Sequence, residues 1–480
     1  MNQNQIKKEK LFINGEWIEA EKTFPLTSPY NGEILAEIPA ATRDDVKRAI
    51  EAAEGARKTL KKLSAHERAS ILGKMVKIFE ERFDEAAEII ARESAKPIST
   101  AKGEVARTIQ TYKFAEEEAK RIHGETIPLD AAPGGENRLA YTVREPLGVI
   151  AAITPFNFPM NLVAHKVGPA FAAGNPVVLK PASQTPLSAI FLAKVAEEAG
   201  VPKGALNVVT GKGSVVGDVL VTDERIKMVT FTGSPSVGIA LRNKAGLKRV
   251  TLELGSNSAV IIDKGVKLGE KIISRCVTGA FSNQGQVCIS LQRVYVHEEL
   301  YDEFVQKFVE QTKTLKLGNP LDPDTDVSAL ITSGDAERAK QWIEEAVANG
   351  AELVCGGEVS GNILHPTVLL NVKNDENVSC QEVFAPVVVI NKISSMEEAI
   401  ALVNDSEYGL QAGVYTENIN TSLQAIDELE AGGVLVNDIP TFRVDHMPYG
   451  GVKNSGTGRE GIKYAIEEMT EMKLVIINKN

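Results

Sequence analysis

The sequence has little cysteine. Only four of the 480 residues are cysteines, namely Cys276, Cys288, Cys355 and Cys380, which is too few for a disulfide framework. No two of them are spaced C-x-x-C, the arrangement typical of structural zinc sites. We therefore expect free thiols and no bound metal.

Long apolar runs and blocks of like charge are also missing. No stretch reaches the roughly 20 apolar residues of a membrane span, and Met1 to Glu9 has no apolar run behind its lysines, unlike a secretory signal. The 53 basic and 64 acidic residues give a net charge of −11 without forming a basic arm. We expect a cytoplasmic protein with no membrane or nucleic-acid partner.

The first 80 residues show ordinary structural patterns. Asn14-Gly15 suits a type I′ turn between Leu11 to Ile13 and Trp17-Ile18. Thr42 and Asp45 have the spacing of a capping box before an amphipathic helix. A second helical pattern follows from Ile71 to Phe79.

From Gly148 onward, β-rich runs alternate with helical ones, which predicts a doubly wound parallel α/β sheet. The five runs are Gly148 to Thr154, Pro176 to Lys180, Ala205 to Thr210, Met228 to Thr232 and Arg249 to Leu254. A second α/β unit is expected after about residue 256, with a helix from Tyr301 and β-rich runs at 386–390 and 433–437.

Polar residues follow these strands at Thr154 to Asn157, Lys180-Pro181, Phe231 to Ser234 and Glu253 to Gly255. Because parallel sheets bind ligands beyond the carboxyl ends of their strands, we expect these residues to meet in one crevice.

Two glycine motifs could hold a dinucleotide. Gly211, Gly213 and Gly217 nearly match G-x-G-x-x-G, but the last glycine is one residue late. The run from Gly233 to Gly238 follows a strand and opens a helix, so its N–H groups could face a pyrophosphate. A plain helix cap is the structural alternative.

Cys288 is the candidate nucleophile. Polar and glycine residues precede it from Ser282 to Gln286, whereas Cys276 and Cys355 have apolar neighbours typical of a core. A cysteine is nucleophilic as the thiolate. Cys380 fits neither pattern, and a Cys–His hydrolase remains an alternative if a histidine folds beside Cys288.

Glu253 is the candidate base. It ends a strand that otherwise reads as buried, and burial raises a carboxyl pKa toward the range a general base needs. The alternative is a structural glutamate paired with a lysine.

Taken together, these motifs resemble those of the aldehyde dehydrogenase family along essentially the whole chain. The matching motifs are Ile153-Thr-Pro-Phe-Asn157-Phe-Pro159, Leu179-Lys180-Pro181, Phe231-Thr-Gly-Ser234, Leu252-Glu253-Leu-Gly255, Gly285-Gln-Val-Cys288, Glu382-Val-Phe384-Ala-Pro386, and Pro448-Tyr-Gly-Gly451-Val-Lys453 with Ser455-Gly456.

The resemblance implies three parts. A Rossmann-like dinucleotide-binding domain would comprise residues 1–122 and 146–255, an α/β catalytic domain residues 256–455, and a small β oligomerisation element residues 123–145 and 465–480. It also implies a homodimer or homotetramer, with the final strand available to a neighbouring subunit.

The resemblance further implies that Cys288 attacks a small aldehyde, that Asn157 and the Cys288 N–H hold the oxyanion, and that Glu253 activates water against the thioester. The residues that it implies for binding NADP, NAD or both are Ile153, Thr154, Pro155, Phe156, Lys180, Ser183, Gly213, Phe231, Gly233, Ser234, Val237, Leu254, Glu382 and Phe384.

Two departures bear on the cofactor and the base. Ser183 stands where many NAD-specific relatives carry a glutamate that would repel a 2′-phosphate, so we expect NADP to be used, with or without NAD. Ser256 replaces the second glycine of the common Glu-Leu-Gly-Gly, next to the base.

The resemblance disfavours succinic semialdehyde, because the carboxylate-binding arginines of those relatives are His165 and Ser282 here. A cationic rim of Arg107, His165, Arg443 and His446 predicts a short polar or anionic aldehyde of the lactaldehyde, phosphonoacetaldehyde or glyceraldehyde 3-phosphate type. The alternative for each rim residue is a solvated surface position.

Two other functions compete with this one. A non-catalytic homologue need not keep Asn157, Glu253 and Cys288 together, and all three are present. An esterase or acylating enzyme would not need both the cofactor motifs and Glu253.

Overall fold

The structure is a computed structural model that describes residues 6–479. Its first strands are β1 (Leu11–Ile13), β2 (Glu16–Ile18), β3 (Thr23–Thr27), β4 (Ile34–Pro39), β5 (Thr126–Ile127), β6 (Arg138–Pro146), β7 (Val149–Ile153), β8 (Val177–Lys180), β9 (Leu206–Val208), β10 (Ile226–Thr232) and β11 (Arg249–Glu253). The helices among them are α1 (Arg43–Lys62), α2 (Ala65–Glu81), α3 (Phe83–Ser94), α4 (Ile98–Glu118), α5 (Asn161–Ala173), α6 (Leu187–Glu198), α7 (Gly213–Thr222) and α8 (Pro235–Ala245).

The later strands are β12 (Ala259–Ile262), β13 (Arg293–His297), β14 (Glu352–Cys355), β15 (Val359–Ser360), β16 (Ile363–Leu364), β17 (Thr367–Leu370), β18 (Val387–Ile393), β19 (Tyr408–Gly409), β20 (Gln411–Tyr415), β21 (Gly433–Val436), β22 (Val452–Lys453), β23 (Gly456–Thr457) and β24 (Thr470–Asn478). The later helices are α9 (Glu270–Phe281), α10 (Tyr301–Thr312), α11 (Ser333–Ala348), α12 (Asn377–Cys380), α13 (Met396–Asn404), α14 (Ile419–Glu428) and α15 (Ile462–Glu468).

The first sheet has the order β2-β1-β9-β8-β7-β10-β11-β23, and its five central strands are parallel. These are the five strands that the sequence predicts, and the doubly wound α/β prediction is confirmed. Alternate residues of β7 enter different cores: Ile150 and Ala152 pack on one face, while Val149, Ala151 and Ile153 pack on the other. Helices cover both faces, which explains the continuous apolar runs.

The predictions for the first 80 residues are confirmed. Asn14 and Gly15 have positive φ angles of 56° and 71° between β1 and β2, as a type I′ turn requires. Thr42 and Asp45 form a capping box at the start of α1.

The second sheet has the order β14-β17-β18-β13-β12-β20-β21, and all its pairs are parallel except β14 with β17. The predicted helix from Tyr301 is α10, and the two predicted β-rich runs are β18 and β21.

A three-stranded sheet, β24-β6-β5, joins strands from both segments of the predicted β element, 123–145 and 465–480. Strand β24, which we expected to be available to a neighbouring subunit, pairs along its length with β6 of its own chain and lies at the edge of this sheet. Residues 1–5 and 480, which the predicted domains include, lie outside the described residues. Between residues 6 and 479, no helix is long and apolar enough to cross a membrane.

Candidate active site

A cleft of about 650 Å³ lies where β7, β8, β10 and β11 end. It is lined by Asn157, Glu253 and Cys288. It is also lined by every residue that the resemblance implies for the cofactor, namely Ile153, Thr154, Pro155, Phe156, Lys180, Ser183, Gly213, Phe231, Gly233, Ser234, Val237, Leu254, Glu382 and Phe384. The expected convergence at the carboxyl ends of the strands is therefore present.

One wall of the cleft is the amino-terminal end of α8. Ser234 precedes this helix without making a side-chain cap, so the first N–H groups of α8 stay available to an anion. Gly233 permits close approach, because a Cβ there would lie 2.6 Å from the Phe231 ring. The buried hydroxyls of Thr154 and Thr232 have no hydrogen-bond partner within residues 6–479. These donors suit a phosphate-bearing ligand.

Lys180 and Ser183 form another part of the wall. The Lys180 side chain is buried and donates to the Pro181 carbonyl over 3.0 Å, and burial lowers its pKa to about 8. The Ser183 hydroxyl donates to the Gly211 carbonyl over 3.1 Å. Of the described residues that line the cleft, only Glu253 and Glu382 are carboxylates.

Glu382 is held by Ser256, the residue that replaces the second glycine of the common Glu-Leu-Gly-Gly. The Ser256 backbone N–H donates to Glu382 Oε1 over 3.0 Å, and burial raises the pKa of Glu382 to about 7. A Cβ at Gly255 would lie 2.5 Å from a Glu382 oxygen, so this glycine makes room for the carboxylate. Phe384 lies edge-on to Phe156, with ring centroids 5.7 Å apart.

Cys288 follows a tight turn after α9. Asn283 and Gln284 have positive φ angles of 51° and 56°, a strained arrangement often found at functional sites. A Cβ at Gly285 would lie 2.1 Å from the Ala385 carbonyl oxygen, so only glycine fits there. This turn places Cys288 where it lines both the cleft and a smaller pocket of about 260 Å³.

Cys288 is half-buried. Its Sγ atom lies 2.9 Å from the Tyr449 hydroxyl. Burial raises the pKa of the thiol to about 11, although Tyr449 and the charge of Arg443 act in the opposite direction. Cys276 is buried in the core as predicted, whereas Cys355 is only half-buried, since β14 is an edge strand.

Two hydrogen bonds orient Asn157, one from its side-chain amide and one to its backbone carbonyl. Its side-chain Nδ2 donates to the Gln286 carbonyl over 2.9 Å, which leaves the second amide N–H for a ligand. Its own carbonyl accepts from Lys96 Nζ over 2.7 Å, and Lys96 is paired with buried Glu104. Among the described residues, the Cys288 backbone N–H has no acceptor.

Glu253 ends β11 and is 4% exposed. Its Oε2 atom has no partner in the described part of the chain. Burial, reinforced by the negative charge of Glu460, raises its pKa well above the usual value. The alternative of a lysine-paired glutamate fails, because Lys166 donates to Glu460 over 3.0 Å and not to Glu253.

The predicted cationic rim is wrong for two of its four residues. Arg107 and Arg443 line the smaller pocket together with Cys288. His165 is buried beside Asp445, with its Nε2 atom 2.9 Å from Asp445 Oδ1, and burial lowers the pKa of its ring. His446 instead packs its ring against Phe114, with centroids 4.7 Å apart.

The two arginines have buried carboxylate partners that sequence reasoning missed. Arg107 donates to Asp445 over 2.7 Å, and Arg443 donates to Glu460 over 2.9 Å. Asp445 lies 338 residues from Arg107, and neither Asp445 nor Glu460 belongs to one of the matching motifs.

Tyr449 was also missed, although it lies within the motif Pro448-Tyr-Gly-Gly451. Arg338, which lines the cleft, was missed as well.

Comparison with known proteins agrees with this geometry. The profile of the aldehyde dehydrogenase family matches residues 17–475. The 3-sulfolactaldehyde dehydrogenase of Priestia aryabhattai is 49% identical, over 99% of this chain and 99% of that protein. The lactaldehyde dehydrogenase of Methanococcus aeolicus is 45% identical, over 98% of this chain and 100% of that protein.

A solved structure matches as well. The NADP-dependent glyceraldehyde-3-phosphate dehydrogenase of Bacillus halodurans, complexed with NADP, has a TM-score of 0.96 at 38% identity, covering 99% of this chain and 100% of that chain. The chain therefore belongs to the aldehyde dehydrogenase family of oxidoreductases.

Proposed function

We propose that the chain oxidises a short polar or anionic aldehyde to its carboxylate, with Cys288 as nucleophile and NADP, NAD or both as hydride acceptor. The observation that carries this proposal is the position of Cys288, which lines both the 650 Å³ cleft and the 260 Å³ pocket. A dinucleotide in the cleft and an aldehyde in the pocket would meet at the sulfur.

The cleft fits a dinucleotide by its own chemistry. The unpartnered hydroxyls of Thr154 and Thr232 and the uncapped start of α8 suit a pyrophosphate. Lys180 and Ser183 would hold the adenosine ribose, where a neutral serine accepts a 2′-phosphate, and Glu382 and Phe384 would position the nicotinamide end. The related Bacillus halodurans enzyme was solved with NADP, which supports the NADP assignment. When bound, the nicotinamide cofactor would supply a hydride acceptor.

In the first half-reaction, the Cys288 thiolate adds to the aldehyde carbon, and the carbonyl oxygen becomes an oxyanion. The free N–H of the Asn157 amide and the backbone N–H of Cys288 would donate to that oxyanion. Collapse of the oxyanion with loss of hydride from the same carbon leaves a thioester on Sγ.

In the second half-reaction, Glu253 takes a proton from water, and the resulting hydroxide adds to the thioester carbon. The carbon–sulfur bond then breaks, which releases the carboxylic acid and restores the Cys288 thiolate. A buried carboxylate with a raised pKa and an open Oε2 atom suits this role.

The smaller pocket supports an aldehyde with a short polar or anionic tail as the substrate. The smaller pocket is only about 260 Å³ and is lined by the Arg107 and Arg443 side chains. Two related proteins are named for 3-sulfolactaldehyde and lactaldehyde, and a third for glyceraldehyde 3-phosphate. All three names describe short aldehydes with a polar tail.

We also propose a homodimer or homotetramer. Strand β24 lies at the edge of its sheet, and its apolar side chains Met472, Leu474, Ile476 and Ile477 are exposed in the single chain. Such an edge is normally covered.

Absorbance at 340 nm tests the proposed oxidation. The panel comprises 3-sulfolactaldehyde, lactaldehyde, glyceraldehyde 3-phosphate, phosphonoacetaldehyde and succinic semialdehyde, each with NADP and NAD. Reduced cofactor should form with wild type and not with Cys288→Ala, and succinic semialdehyde should be a poor substrate. Absence of reduced cofactor with every pair would contradict the proposal.

A further inference from the structure

Tyr449 contacts the atom that would react, yet the mechanism above does not use it. Its hydroxyl oxygen lies 2.9 Å from Cys288 Sγ, and the side chain is buried, with only 2% of the residue exposed. Tyr449 also lines the smaller pocket with Cys288.

The sulfur has no direct cationic partner in the described part of the chain. Arg443, whose charge acts on the thiol, instead stacks on the Tyr449 ring, with its guanidinium carbon 3.6 Å from the ring centroid. A thiolate that is partly withdrawn from water and has no hydrogen-bond donor is costly. The Tyr449 hydroxyl is therefore the group that can stabilise negative charge on the sulfur.

Tyr449 is held in place at both its backbone and its ring. Its N–H donates to the Glu460 carbonyl over 3.1 Å, and the Glu460 N–H donates back over 2.7 Å. The Glu460 side chain in turn holds Arg443 over 2.9 Å, which fixes the guanidinium on the ring. Burial raises the pKa of Tyr449 well above its ordinary value, so the phenol stays protonated and can donate.

We propose that Tyr449 is a further catalytic residue, whose O–H donates a hydrogen bond to Cys288 Sγ and stabilises the thiolate both before attack and as it leaves the thioester. Arg443 strengthens this donor by withdrawing electron density from the ring. Because a thioester sulfur accepts hydrogen bonds only weakly, the hydrogen bond from Tyr449 stabilises the thiolate more than the thioester. The proposal rests on Cys288 being the nucleophile.

The test is the pH dependence of Cys288 alkylation by iodoacetamide, followed on the Cys288 peptide by mass spectrometry, without aldehyde or cofactor. The variants are Tyr449→Phe and, as a matched control, Tyr301→Phe, which removes a buried hydroxyl that donates to the Ile390 carbonyl. Circular dichroism checks that each variant is folded.

We expect the alkylation midpoint of Tyr449→Phe to move up by about one pH unit, the size of one hydrogen bond to a charged group. Near neutral pH the rate should fall only about threefold, because a more basic thiolate is about threefold more nucleophilic and offsets part of the tenfold loss of thiolate. Tyr301→Phe should match wild type.

An unchanged midpoint in Tyr449→Phe would overturn the proposal, since a packing role does not move the thiol ionisation. A lower midpoint would also overturn it, because the hydroxyl would then be accepting from the thiol. As the assay uses no aldehyde, failure of the proposed oxidation cannot be mistaken for either result. If Tyr449→Phe does not fold, Arg443→Lys replaces it, because this variant keeps the charge but loses the flat guanidinium on the Tyr449 ring. The midpoint of its Cys288 alkylation curve must then lie at a higher pH than that of wild type.

Discussion

Replacing Arg107 by glutamine should weaken oxidation of an anionic aldehyde far more than oxidation of a neutral one. Arg107 lines the smaller pocket, and its Nη2 and Nε atoms donate to Asp445 over 2.7 and 3.3 Å. Its Nη1 atom is left to donate to a ligand. Glutamine keeps some length and hydrogen bonding but loses the charge.

The magnitude follows from the burial of this arginine. A hydrogen bond between charged groups contributes about 1.5–3 kcal/mol. Since the Arg107 side chain is 31% exposed and already paired with Asp445, solvent screening favours the lower limit. A loss of about 1.5 kcal/mol corresponds to about a tenfold fall in kcat/KM.

The assay compares 3-sulfolactaldehyde with lactaldehyde, which differ in the sulfonate on the tail. The kcat/KM ratio of the two substrates should fall about tenfold in Arg107→Gln. It should not change in Arg92→Gln, whose arginine is paired with Glu88 on the surface of α3. Equal losses with both substrates would refute tail recognition and assign Arg107 to structural support.

Three further outcomes are expected. Ser183→Glu should lower kcat/KM with NADP about 100-fold and spare NAD, because like charges about 5 Å apart at an effective dielectric of about 20 repel by about 3 kcal/mol; Ser183→Gln is the neutral control, and an equal loss with both cofactors would contradict this account. Asp445→Asn should lower the free energy of unfolding by about 2 kcal/mol at pH 7, the size of a hydrogen bond to a charged group. The side chains that pair with Asp445 hold its pKa below the usual value, so the difference in unfolding free energy between wild type and Asp445→Asn should shrink as the pH falls below about 4. A difference that widens in acid, measured by denaturant unfolding, would contradict this prediction. Finally, kcat/KM should rise with pH through the neutral range, since Cys288 and Glu253 act as anions and burial raises the pKa of both; an acid optimum would count against these roles.

Local patterns predicted the strands, the first helices and the cleft wall well. The type I′ turn at Asn14, the capping box at Thr42 and the buried run of β7 depend on residues close together in sequence. The carboxyl ends of parallel strands meet by topology alone, which explains why residues as distant as Thr154 and Glu253 were correctly placed in one cleft.

The pocket side was harder to predict, because its geometry depends on distant partners. His165 looked like a surface cation, yet it lies in the fully buried helix α5, and Asp445, 280 residues away, pairs with its Nε2 atom. The pairing of β24 with β6 of the same chain was not predicted, since an exposed alternating strand carries no signal for which edge it joins. Tyr449 lay within a quoted motif, but its contact with Cys288 appears only in three dimensions.

The central claim is that Cys288 carries the acyl group and Glu253 activates the water that removes it. Rapid mixing of Glu253→Gln with an aldehyde and NADP tests this most directly. The account predicts a burst of about one reduced cofactor per subunit, a steady rate about 10²–10⁴-fold below wild type, and an acyl adduct on Cys288 by mass spectrometry. Steady turnover at the wild-type rate, or a burst with no adduct on Cys288, would contradict it.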